Sequence, residues 1–262
     1  MGINKKVDKD IAEKSSESQD LVLEGELSSF SAAVNDVIDL GIDWKSLDKK
    51  EIFEKLAAFD SAGDMDLFTC EVPSTSGGKL ELRFSKYLKG WEGSDGALRI
   101  DLTRPEFPED DWDKYYVGTF DFAHIDKGEK EEWDMKHRET GNLYRKQGIA
   151  GEILKLFEEY VAERPKSQEI SSEVSQPDLI DWLEKRGYSA ATVEDEEKLE
   201  RVPDLQIFSS PKGEKYLFDV PAFREKFGFD PSNPELWNSE NYKEDFFYMK
   251  SSFRIKFKKT VS

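Results

Sequence analysis

The sequence predicts an α+β fold, in which a mostly antiparallel sheet precedes a helix–strand–helix unit. Three observations carry that expectation. Between Asp66 and Thr140, short runs of alternating apolar and polar residues are separated by turn-rich segments, as in successive antiparallel strands. From Gly148 to about Glu163 the period becomes helical. Ile149, Ile153, Leu156, Phe157, Tyr160 and Val161 fall on one stripe, and Pro165 closes it. A short strand at residues 169–174 then leads to a second helix, opened by Pro177 and ended by Gly187.

The composition supports a folded chain and narrows its partners. The 262 residues include 18 Phe, 9 Tyr and 6 Trp, too much apolar surface to leave in water, so full disorder is excluded. The single cysteine, Cys70, excludes an intrachain disulfide and a cysteine-cluster zinc site. No apolar run approaches a membrane span. A net charge of −18 argues against a sequence-independent hold on nucleic acid or anionic lipid. Residues 1–20 mix Lys, Asp and Ser, have no apolar face to bury and no signal-peptide core. They are expected to be a solvated tail on a cytoplasmic protein.

The remaining elements follow in order. Residues 21–64 read as a helical segment. Phe30, Ala33, Val34, Val37 and Ile38 form a stripe that Gly41 ends, and Asp48 with Glu51 makes a capping box ahead of Ile52, Phe53 and Leu56. Strands at 66–72 and 79–87 flank the loop at 74–78, and another spans 97–102. The stretch 105–113 is an acidic, proline-bearing loop. Strands at 115–125 and 132–140 join through Asp126-Lys127-Gly128-Glu129. Beyond the second helix, residues 194–200 read as a solvated helix face. Residues 205–209 and 215–220 read as a hairpin around Pro211-Lys212-Gly213, 229–245 as loop, and 246–257 as a terminal strand.

The informative segment is Tyr144-Arg145-Lys146-Gln147-Gly148-Ile149-Ala150, placed between a strand and the long helix. Gly148 has no Cβ to block close approach and Ala150 keeps the first turn thin. A helix N-terminus offers unpaired N–H groups and the positive end of its dipole, so the segment suits a phosphate. It lacks the Gly-Lys-Ser/Thr of a Walker A loop and is not the dinucleotide GxGxxG.

This segment resembles the signature Gln/Arg-x-x-Gly-x-Gly/Ala of the GCN5-related N-acetyltransferase (GNAT) family, with Arg145, Gly148 and Ala150 at its fixed positions. Glu184-Lys185-Arg186-Gly187-Tyr188 is similar to the family's Glu-Lys-x-Gly-Phe, and Tyr248-Met249-Lys250 to its final strand. The resemblance is strongest over residues 115–188. It implies a three-layer α/β/α acyltransferase fold over 65–262, with a central mixed sheet, helices on both faces, and an insert at about 189–245. It also implies acetyl-CoA as co-substrate, bound by Arg145, Lys146, Gln147, Gly148, Ile149 and Ala150 and lying between two splayed central strands. An amine acceptor would attack the thioester directly, next to a strand N–H that polarises its carbonyl. Two positions depart from the family. Gln176 stands where many members have Asn, and Leu183 where many have the Tyr that protonates the leaving thiolate. Trp182 beside it cannot usefully replace that acid, because an indole N–H donates a hydrogen bond but does not give up its proton.

Attack by an amine requires removal of a proton, so strand residues that accept one are of interest. His137, Glu139 and Asp134 on one strand are the candidate catalytic residues, with Asp121 and His124 on the strand before. Alternation puts His137 and Glu139 on one face and Asp134 on the other unless a bulge intervenes. The two histidines have no metal-binding spacing, so no metal is expected. Two other classes stay open: a catalytically weak or silent member that binds CoA or a protein partner, and an acidic adaptor without a ligand. The acceptor and the oligomeric state are not specified by the sequence.

Overall fold

Asp48 starts the first described α-helix as its spacing predicts. Its carboxylate accepts a hydrogen bond from the Glu51 N–H at 3.0 Å, and α1 (Lys49–Leu56) follows with Ile52 and Leu56 buried. The computed structural model describes residues 38–88, 93–140, 142–209, 215–228, 230 and 253–261. The expected tail at 1–20, most of the expected helix at 28–41, the loop at 229–245 apart from residue 230, and Tyr248-Met249-Lys250 therefore lie outside the described residues. Where that first helix should end, the chain is not helical. Ile38 N–H donates to Leu143 O and Ile42 forms a β-bridge with Ser74, because loops elsewhere in the fold bind these backbone groups.

Five strands then form a meander: β1 (Met65–Val72), β2 (Leu80–Tyr87), β3 (Gly96–Thr103), β4 (Tyr116–Asp126) and β5 (Lys130–Thr140), each antiparallel to the one before. A single turn, α2 (Trp112–Tyr115), lies inside the stretch expected to be loop. The long helix is α3 (Ile149–Ala162), followed by β6 (Ser167–Val174), α4 (Pro177–Glu184), the two-residue β7 (Ser189–Ala190) and α5 (Val193–Glu200). β8 (Gln206–Ser209) and β9 (Lys215–Phe218) make the expected hairpin as a separate two-stranded sheet. Next come α6 (Val220–Phe227), which the sequence reading missed, and β10 (Ile255–Val261). This last strand overlaps the expected 246–257 only at residues 255–257 and runs on to Val261, while residues 246–252 lie outside the described residues.

The eight-stranded sheet has the order β1-β2-β3-β4-β5-β6-β10-β7 and is mixed, with β5 and β6 as its parallel pair among the described strands. The fold is α+β. α3 lies across the centre of the sheet because its apolar stripe meets the even-numbered side chains of β4. The Phe157 and Phe122 rings stack at 3.6 Å between centroids, and Trp133 meets Phe157 edge-on. α1 packs beside it, Phe53 against Tyr160. The opposite face of β3 and β4 is polar. There Arg99 grips Asp121, and Asp101 accepts from the Tyr116 and Thr119 hydroxyls.

Candidate functional site

β5 and β6 are in register only over Lys130–Asp134 against Ser167–Ser171, although β5 continues to Thr140 and β6 to Val174. Beyond that point the two strands part. A bulge supplies a physical cause. The β4–β5 register shifts between Asp121 and Phe122, which face His137 and Met135, so Lys136 is an extra residue. An extra residue bends its strand and increases the local twist, turning β5 away from its parallel neighbour. Across the opening, Arg138 Nη1 donates to Ser172 Oγ at 2.7 Å. Just past the end of β6, the β8–β9 hairpin is fastened by Leu217 N–H donating to Ser175 O at 2.7 Å. The Ser175 hydroxyl is buried there without a partner among the described residues.

The loop into α3 ends beside this opening. Gly148 is the N-cap in the left-handed region, at φ 74°, and no side chain caps the helix. A Cβ at Gly148 would meet nothing within 4 Å, so the space above the first turn is open. Lys146 is also left-handed, at φ 66°, a conformation uncommon for a residue with a side chain. Gln147 faces inward. Its amide accepts from Leu40 N–H at 3.0 Å and donates to Ile38 O, tying the loop to the segment before α1. Ile149 is buried and Ala150 packs against the core. One contact escaped the sequence reading. The Arg186 guanidinium, held over the Trp182 ring at 4.1 Å, occupies the place a Cβ on Gly151 would take. Arg186 thereby joins Arg145 and Lys146 around the start of α3. The signal was Gly151 directly after Ala150, but its partner is too distant in sequence to be read.

The bulge also changes the expected pattern of candidate bases. Asp134 pairs with Ala123, His137 with Asp121 and Glu139 with Thr119, so the three positions share one parity on β5. Plain alternation would have separated Asp134 from the others. The Asp134 carboxylate is 2.5 Å from Lys136 Nζ. Asp121 is 3% exposed and takes two hydrogen bonds from Arg99, at 2.7 and 2.9 Å, which makes it a fixed anion that orders the sheet face. His124 is not brought to this group. It pairs with Trp133 and faces the helical side of the sheet, edge-on to Phe59. Leu183 is fully buried in the core and Gln176 makes no side-chain cap at the start of α4. Tyr188 does not supply the missing acid. Its hydroxyl donates to Glu158 at 3.0 Å, and burial pushes its pKa far above the usual phenol range.

Burial pushes the His124 imidazole below its ordinary 6.5, against the opposing pull of Glu131. The unfolded chain therefore binds this proton first on acidification. The stabilisation is complete above pH 6.5 and is lost as the pH falls from there through the lower folded value. Urea midpoints measured from pH 7.5 to 5 should fall, and fall less in His124→Phe. Equal slopes in the two proteins would assign the loss to other groups.

No family model and no curated protein matches the sequence. Among solved structures, the chain is similar to the ribosomal-protein-S18-alanine N-acetyltransferase from Escherichia coli, at 11% identity and a TM-score of 0.34, over 66% of this chain and 72% of that one. It is also similar to Arabidopsis thaliana NAA60 in complex with acetyl-CoA, at 13% identity and a TM-score of 0.32, over 46% of this chain and 73% of that one. At these scores neither overlap places a residue of this chain in a role.

Proposed function

We propose that the chain is an acyl-CoA-dependent N-acyltransferase that moves an acetyl group from acetyl-CoA to an amine. The observation that carries this reading is the parting of β5 from β6 beside the uncapped, glycine-started N-terminus of α3. The residues present fit an acyl-CoA. The start of α3 carries no side-chain cap and has open space beside Gly148, basic residues flank that turn in an otherwise acidic protein, and the buried Ser175 hydroxyl lacks a partner among the described residues.

In this reading the α3 N–H groups, Arg145, Lys146 and Arg186 hold the pyrophosphate, and the opening between the strands takes the acyl arm. Gln147 acts indirectly by holding the loop's shape. Acetyl-CoA supplies the acyl group as a thioester. A β5 residue beyond the bulge, His137 or Glu139, accepts the proton that the attacking amine must lose. No acid is required at Leu183, because a thiol of pKa about 8.5 leaves tolerably as thiolate at neutral pH.

The test is release of free thiol from acetyl-CoA with a panel of small amines, peptide N-termini and lysine side chains, alongside thermal melting. Acetyl-CoA should raise Tm, as any ligand of the folded state does. Arg145→Glu, or Gly148→Val, should weaken its binding tenfold or more. An unchanged Tm shift in both variants would remove the phosphate from this loop. A second reading, a silent member that binds CoA or a protein partner, is favoured by the Arg138–Ser172 bond across the opening and by Leu183. Tight acetyl-CoA binding with no thiol release from any amine would select it.

A further inference from the structure

A second cavity, of about 620 Å³, lies at the other end of the sheet, where β4 turns into β5 and α3 ends. Its walls carry five carboxylates, Asp60, Asp95, Asp126, Glu131 and Glu163, against three cations, Lys86, Arg164 and Lys166. The cations are all engaged. Arg164 bonds Glu131 and Asp60, Lys166 bonds Asp126, and Lys86 Nζ donates to Phe59 O and Asp60 O. Two carboxylates are left in excess. Asp95 accepts only from the Asp126 N–H, and Glu163 has no side-chain partner, among the described residues. Glu163 also caps the C-terminus of the 14-residue α3, the negative end of its dipole, which favours a cation. The Tyr160 and Phe53 rings form apolar wall suited to a methylene chain.

His124 is the independent sign of a ligand. It lines this cavity and is 6% exposed, yet its Nε2 has no hydrogen-bond partner among the described residues. Glu131 Oε2 is 3.8 Å away, too far for a hydrogen bond. An unpaired buried nitrogen is costly unless something in the cavity meets it. A metal ion is a poor fit, because no three His, Cys, Asp or Glu side chains among the described residues are grouped to hold one.

We propose that this cavity binds a small organic dication, a diamine whose two ammonium groups offset the excess carboxylates, with one N–H reaching His124 Nε2. The site is separate from the opening between β5 and β6, and Trp133 stands between His124 and Phe157. It does not depend on the acyltransferase reading.

The test is calorimetric titration of the full chain with 1,4-diaminobutane at pH 7.5, with 1-aminobutane, magnesium chloride and sodium chloride of matched ionic strength as controls. The expected result is saturable binding of the diamine, at least tenfold tighter than the monoamine. Asp95→Asn with Glu163→Gln should weaken it at least tenfold. Both side chains are exposed, so the variant keeps its fold. His124→Phe, which keeps the aromatic packing and removes Nε2, should weaken it as well. Absence of diamine binding, equal binding of the monoamine or magnesium, or unchanged affinity in the double variant would overturn the proposal.

Discussion

Replacing His137 by Ala, or Glu139 by Gln, should lower thiol release by about 10²-fold or more in at least one of the two variants, with the acetyl-CoA shift in Tm nearly unchanged. An alkylamine of pKa about 10.4 is almost wholly protonated at pH 7, so the reactive form is scarce until a base removes the proton. The leaving side has no comparable problem. β5 carries both positions beyond the bulge, where it has already left β6, whereas Asp134 stands at the last paired position and beside Lys136. A weakly basic amine, already neutral at pH 7, should be far less sensitive to the same substitutions, and that contrast distinguishes proton removal from general damage. Full rates in both variants at every pH would move the role to Asp134 or Asp121.

Arg164→Met should destabilise the fold by about 3–5 kcal/mol, read from urea unfolding, because it strands a buried carboxylate. The Glu131 side chain is 4% exposed and that of Arg164 9%. Arg164 Nε and Nη2 donate to the two Glu131 oxygens at 2.6 and 3.0 Å, and Nη2 also reaches Asp60. Burial alone would raise the Glu131 carboxyl, but the Arg164 and Gln168 hydrogen bonds hold it below its ordinary value. Adding Glu131→Gln to the Arg164→Met background removes the stranded charge and should restore a large part of the loss. A single-variant effect under about 1 kcal/mol, or no recovery in the double variant, would show that the pair is solvated in practice.

Local features of this fold were legible because each is written in neighbouring residues. The stripe from Ile149 to Val161 marks α3, Asp48 marks the start of α1, and Gly148 is left-handed at the N-cap of α3. α6 had its own marks, with Asp219 accepting from Ala222 N–H, Pro221 in the first turn and Gly228 left-handed at the end. They were missed because two turns show too little periodicity. The bulge at Lys136 has no glycine or proline to announce it, and it alone decides which β5 residues share a face. Arg186 against Gly151, Gln147 on the Leu40 and Ile38 backbone, and Arg138 on Ser172 are long-range contacts that no local pattern encodes. His137 was a candidate base, with His124 on the preceding strand. Strand parity sends His124 into an aromatic cage on the helical side.

The place of β10 between β6 and β7 has a consequence for the order in which the molecule assembles. β1 to β5 pair with their nearest neighbours in sequence, and such local hairpins close quickly. β6 joins them through the α3 crossover. Its other edge, and the short β7, must then wait for a segment synthesised much later, since Ile255–Val261 pairs with Val174–Gln168. Until that insertion, one wall of the opening is an unpaired strand edge, a template for pairing with another chain. The lysines at 256, 258 and 259 fill that slot with charge, while Phe257 and Ile255 supply its apolar anchors. The opening between β5 and β6 is therefore completed late in the life of each nascent chain. The region most exposed to misassembly is then the same one that shapes the candidate site.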